Sequence, residues 1–317
     1  MPNHVKHRAP YVSVGLAMLL TSACAASVAE PTGTTMTSED SAQVWPEVID
    51  PTAIPLGDGL ISTEPAAGSL YACKTDFGER GAPHGGPWID EEAGTWDSMT
   101  KLQVEGSNSW PQAAYQEMVE SDRRMIRADN VPTEQVTGTF PIAESDPAHA
   151  FDPNPNAIQE QTIELDLPAS PEDADGASCV RMGAVGVLKN GVYLYNAIDA
   201  AGGDAVANET QDVCDGHPDG VQAYHYHDIP SCLLDATPAG ASTLVGYALD
   251  GYGIYVEKDS EGNLPTNSRL DECHGRTSTV TWDGEEQEMY HYSATMEYPY
   301  TVGCFQGDPE PQPDRDH

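Results

Sequence analysis

Apolar and acidic residues alternate along Thr162-Ile163-Glu164-Leu165-Asp166-Leu167, the pattern of a strand with one face buried and one in water. Further along, aromatic and β-branched residues flank three tight-turn dipeptides, Asn190-Gly191, Asp250-Gly251 and Asp283-Gly284. Each predicts a β-hairpin, because such turns need positive φ and glycine adopts it without steric cost. Gln112 to Arg127 is ambiguous: its residues favour a helix, yet Glu120-Ser121-Asp122 could equally turn a hairpin. Ala169 to Gly176 predicts a surface loop. With 29 glycines, 25 prolines and little helical periodicity, the chain predicts a mainly β fold, an antiparallel sandwich or barrel with long, disulfide-stapled loops. No repeat of 20 to 50 residues stands out.

The N-terminus breaks this pattern. Lys6 and Arg8 precede an apolar run from Val12 to Leu20 and the small residues Thr21-Ser22-Ala23-Cys24. That order is a secretory signal, too short to span a bilayer. Cleavage before Cys24, with lipid on its thiol, competes with cleavage after Ser27-Val28-Ala29, and the lipoprotein reading is preferred although Thr21 stands where Leu or Val is usual. The expected organisation is a signal over 1–24, a flexible Ser/Thr-rich acidic tether over 25–44, one domain over 45–309 and a frayed tail over 310–317.

Cysteine usage agrees with export. Setting Cys24 aside leaves six of the seven, an even number that predicts three bridges; the pairing expected is Cys73 with Cys179, Cys214 with Cys232, and Cys273 with Cys304. No Cys-x-x-Cys pair supports zinc held by thiolates. The formal net charge of −37 repels polyanions, so nucleic acid is not an expected partner, and a membrane is met only through the lipid anchor.

The chemistry concentrates in histidine. His225 and His227 stand two apart in Tyr224-His225-Tyr226-His227; in a strand their imidazoles leave one face while Tyr224 and Tyr226 leave the other. Such a pair can chelate copper or zinc if further ligands arrive, and His291, His274 and His217 are the candidates. Asp204, Glu209 and Asp212, with Tyr224 and Tyr226, are placed as supporting groups that orient imidazoles; the default for the acidic loop 204–212 is a solvated one. His84 and His149 read as surface residues. The alternatives are a non-catalytic binding module whose Tyr/His motif is structural, and a hydrolase combining a histidine with one of these carboxylates. Gly-x-Ser-x-Gly, His-Glu-x-x-His, Gly-x-Gly-x-x-Gly and EF-hand patterns are all missing, which disfavours serine, zincin, nucleotide and calcium chemistry of the usual kinds.

Together, Tyr-His-Tyr-His at 224–227, Leu-Val-Gly-Tyr-Ala-Leu-Asp-Gly-Tyr-Gly-Ile-Tyr at 244–255, Leu-Asp-Glu-Cys-His-Gly at 270–275 and Met-Tyr-His-Tyr at 289–292, followed by Tyr-Pro-Tyr-Thr-Val-Gly-Cys at 298–304, resemble the YHYH-domain family of exported bacterial proteins. That resemblance names a sequence class and no activity. The chain departs from it at Arg276, Ser278 and Ser293, where family members carry more histidine, so one site is expected and not two.

Overall fold

The computed structural model describes residues 47–78 and 85–311. The expected signal, Cys24, the tether over 25–44 and His84 lie outside these residues, as do 312–317. Glu310 is tied down, its N–H donating to the Leu249 carbonyl and its carboxylate meeting Arg123.

Tyr115–Glu120 (β1) and Arg123–Ala128 (β2) form a hairpin turning at Ser121-Asp122, with Ser121 at φ 61°. Extended backbone wins over helix here because β2 then alternates, burying Arg124, Ile126 and Ala128. Ile163–Pro168 (β3) pairs beside it, with Ile163, Leu165 and Leu167 buried and Glu164 and Asp166 exposed. The expected loop at 169–176 is corrected. Asp173–Ser178 is a strand, because Phe305–Gly307 returns to pair with it and the Tyr252 hydroxyl donates to Asp173 at 2.7 Å.

Eight further strands make the main sheet: Ala184–Leu188 (β4), Tyr193–Tyr195 (β5), Gly216–Pro218 (β6), Tyr224–Tyr226 (β7), Ser242–Ala248 (β8), Gly253–Glu257 (β9), Gly275–Trp282 (β10) and Glu285–Ser293 (β11). Their spatial order is β6-β7-β5-β4-β8-β9-β11-β10. All three expected turns close hairpins, with Gly191, Gly251 and Gly284 at φ 90°, 89° and 87°. The protein is mainly β. The sheet is not a closed barrel, since β6 and β10 are its two edges, nor is it purely antiparallel: β5 runs parallel to β7 and β9 to β11. A parallel neighbour cannot be reached by a tight turn, so residues 196–223 and 258–284 leave as long connections. The first of those connections carries Glu209 and His217, and the second His274 and Arg276.

The sheet is also internally two-fold. β4 and β8 pair at its centre with Val187 opposite Tyr247, sixty residues on. The same offset relates the bulges at Ala184/Gly186 and Leu244/Gly246. It also relates the turns in which Asp199 accepts from Ala201 and Gly203, and Asp259 from Glu261 and Asn263. Outward on each side the pattern persists: His217 faces His225 as Arg276 faces His291. Asp212 accepts from the N–H groups of Cys214 and Gly216 and from the Tyr224 hydroxyl, and Asp271 does the same with Cys273, Gly275 and Tyr290. The repeat is about sixty residues long, beyond the 20 to 50 residues of common repeats, and it keeps identities such as Gly186 with Gly246, Tyr195 with Tyr255, Asp212 with Asp271 and Tyr224 with Tyr290.

The three bridges join Cys73 to Cys179, Cys214 to Cys232 and Cys273 to Cys304, with Cα separations of 4.9, 5.5 and 4.4 Å. The main apolar core runs from Ile126, Ile163 and Leu167 through Val187, Leu194 and Ile254 to Tyr292 and Phe305, and Val104, Ile142 and Ala148 form a second, smaller cluster. Arg124 is buried between the three-stranded sheet and the main one, with its guanidinium 4.4 Å from the Tyr247 ring, 4.7 Å from Trp282 and paired with Glu117 and Asp283.

Candidate metal centre

β7 sends its side chains alternately to two faces, and the two faces do different work. On one, Tyr224 and Tyr226 pack edge to face at 5.4 Å. The Tyr224 hydroxyl donates to Asp212 at 2.9 Å, and Tyr226 bonds Asn190 at 3.1 Å. Burial pushes the Asp212 carboxyl up to about 6 despite the donors around it. This face is structural: Asp212 shapes the 212–216 loop and locks the Tyr224 ring beneath it.

On the other face His225 and His227 meet His217 from β6. His225 Nε2 lies 3.0 Å from His217 Nε2 and 3.1 Å from His227 Nε2. The three residues are 3–4 % exposed. Each Nδ1 faces a backbone carbonyl: His217 that of Thr210 at 3.2 Å, His225 that of Ala223 at 3.1 Å, and His227 that of Asn196. A carbonyl only accepts, so a protonated Nδ1 suits each of these contacts, and each Nε2 is turned toward the neighbouring rings. Nitrogen atoms this close need positive charge between them, from a proton or a metal ion.

Glu209 completes the ring. It follows the short helix Ala205–Asn208 (α1), which Asp204 caps by accepting from the Ala207 N–H. Glu209 Oε2 lies 3.3 Å from both His217 Nε2 and His227 Nε2 and makes no hydrogen bond to a donor. Four donor atoms therefore form a closed quadrilateral with edges of 3.0, 3.1, 3.3 and 3.3 Å. Bonds of about 2.0–2.1 Å to one first-row ion at angles of roughly 90–110° space neighbouring ligand atoms by about 2.9–3.4 Å. Burial raises the Glu209 carboxyl, but interaction with the His217 and His227 rings holds it down at about 2. Burial pushes His217 down, whereas at His227 the Glu209 carboxylate overcomes burial and pushes it up. The Tyr195 ring stacks on His225 at 3.8 Å, and its hydroxyl is anchored on Asp219.

Of the five histidines expected to gather, the structure brings together His217, His225 and His227; together these are the candidate metal-holding group among the described residues. His274 and His291 lie elsewhere. His274 Nε2 meets the Thr295 hydroxyl at 3.1 Å, and burial pushes this ring down to about 3. His291 Nε2 is 3.2 Å from Glu257. His149 is half-buried on the turn Pro147–Ala150. The 204–212 stretch is not a solvated loop, because Asp204 and Asp212 are buried and serve the scaffold: Asp204 accepts from the Gly57 N–H at 2.9 Å and from the Tyr300 hydroxyl. Glu209, placed from sequence among the groups that orient imidazoles or supply an acid or base, stands 3.3 Å from two of the Nε2 atoms. The carbonyls of Asn196 and Thr210 and the Tyr195 stack have no signature in residue type. Beside His227, Asp228 helps line a cavity of about 230 Å³ with Trp96, Lys101, Asp215, Met296 and Tyr300; none of the three imidazoles lines it.

Comparison with curated proteins and with solved structures gives no match. One family does match, the one described as YHYH protein. It covers residues 164–264, the stretch that holds β4 to β9 together with His217, His225 and His227, so the chain contains a YHYH domain.

Proposed function

We propose that this protein is exported, held at the cell surface by lipid on Cys24, and binds one transition-metal ion, copper or zinc, through His217, His225 and His227 with Glu209 as a fourth ligand. The carrying observation is the convergence of three buried imidazole Nε2 atoms and the Glu209 carboxylate at the spacing of ligands around one ion, with each Nδ1 turned to a backbone carbonyl. Imidazole and carboxylate donors at these spacings suit borderline divalent ions better than calcium or magnesium, which prefer all-oxygen shells. Four protein ligands and near-complete burial make a closed site, whose part is to hold the ion and not to offer it an open position. Export is supported by the charge-apolar-small N-terminus and the three bridges.

The non-catalytic reading in which the motif is structural has its own observation, the Tyr224 and Tyr226 face described above, and the two readings divide the motif between them. His225→Ala separates them. With the metal reading, the substitution abolishes the rise in melting temperature that copper or zinc gives the wild type and changes the metal-free protein little. An equal loss of stability with and without metal, with the metal-induced rise retained, would make the histidines core residues and sink the proposal.

A further inference from the structure

The pseudo-two-fold of the sheet places a second set of side chains where the first holds its imidazoles. Arg276 pairs with His291 across β10 and β11 as His217 pairs with His225 across β6 and β7. The match extends to the backbone. Gly275 faces Tyr292 as Gly216 faces Tyr226, His274 and Asp215 share positive φ at 68° and 60°, and His291 Nδ1 meets the Met289 carbonyl at 3.2 Å as His225 meets Ala223. β9 and β11 then pair Tyr255 with Ser293, which puts Ser293 two residues after His291 as His227 is two after His225. The trio equivalent to His217, His225 and His227 is therefore Arg276, His291 and Ser293.

These three also converge on a carboxylate. Glu257 accepts from Arg276 Nη2 at 2.8 Å and Nε at 3.2 Å, from Ser293 Oγ at 2.7 Å, and lies 3.2 Å from His291 Nε2. It comes from the end of β9, whereas Glu209 comes from the end of α1, so the two halves place an acid at their centres by different routes. Glu257 and His291 are buried, while the Arg276 side chain is 34 % exposed. A guanidinium with fixed donors neutralises a buried carboxylate as a bound cation would, without exchange with solvent.

We infer that the second half of the sheet is a latent metal site, in which the Arg276 guanidinium takes the place of the ion and Ser293 has lost the third imidazole. This rests on the metal reading of the first half, and it predicts that the site accepts copper or zinc once the ligands are restored. The test is metal content and far-ultraviolet circular dichroism of the wild type, Arg276→Ala and the double variant Arg276→His/Ser293→His, each saturated with copper or zinc alone and desalted. The double variant should bind about one equivalent more than the wild type, and Arg276→Ala no more than the wild type. A folded double variant with no added equivalent overturns the inference while leaving the wild-type site intact. A wild type without metal fails the metal reading instead, and the increment in the double variant still decides this one.

If the double variant does not fold, hydrogen exchange of the wild type with and without a chelator decides. Protection should fall at least about tenfold at 216–218 and 224–226 and stay unchanged at 275–282 and 285–293, whose cation is tethered. Equal loss in both halves overturns the inference.

Discussion

Three backbone carbonyls, of Thr210, Ala223 and Asn196, fix how the imidazoles present themselves, and so set the chemistry of the centre more than the many acidic side chains do. The tyrosines of the same strand are separable from it. Tyr224→Phe should destabilise the fold by about 1–3 kcal/mol in urea titrations, because the buried Asp212 loses its hydroxyl donor, while metal content stays at the wild-type level. At the opposite end of the sheet, Glu257 carries a pH signature. Burial opposes it, but hydrogen bonds from His291, Arg276 and Ser293 hold this carboxyl at about 2 against an ordinary 4.5. A folded value below the unfolded one adds stability that is fully present above about 4.5 and is lost as pH falls through about 2, on the order of 3 kcal/mol. Unfolding free energy followed from pH 6 to pH 2 should drop across that window in the wild type, and Glu257→Gln should lower the plateau and flatten the fall.

Among the elements, the centre of the sheet is the least tolerant place. A Cβ on Gly186 would meet the Tyr247 carbonyl oxygen at 2.4 Å, and one on Gly246 the Val187 carbonyl oxygen at 2.6 Å. Backbone atoms cannot swing aside as a side-chain tip can, so Gly186→Ala should cost about 1–3 kcal/mol in denaturant midpoint experiments, and more if β4 and β8 must separate. Hairpins were the legible part of this architecture. Asn190-Gly191, Asp250-Gly251 and Asp283-Gly284 announce their turns because positive φ selects residue type. The parallel contacts β5 with β7 and β9 with β11 left no such mark, since pairing direction depends on where a long connection returns. Gln112 to Arg127 stayed ambiguous for a related reason: only β3, contributed some forty residues later, rewards the extended form.

At the scale of the whole molecule, the Tyr-His-Tyr-His run predicted two ligands and the third, His217, was one of three further candidates. The choice among them is made by topology, because β6 pairs antiparallel with β7 and sets His217 opposite His225. His274 and His291 belong instead to the second half of a pseudo-symmetric sheet, whose offset of sixty residues between β4 and β8 becomes 59 between His217 and Arg276 and 66 between His225 and His291, so that no single period marks it in the sequence. Glu209 could be named from sequence but not given its place, because only the turn after α1 aims it between two rings. The cysteine pairing found is the one expected, each cysteine joined to the next in order along the chain.

The proposed function requires one cation among three imidazoles and a carboxylate. Its most direct test is metal analysis of the tag-free protein, refolded with its disulfides intact, saturated with copper or zinc and desalted. About one equivalent per chain is expected, falling to near none in His225→Ala; less than about a tenth of an equivalent in the wild type with both metals would contradict it.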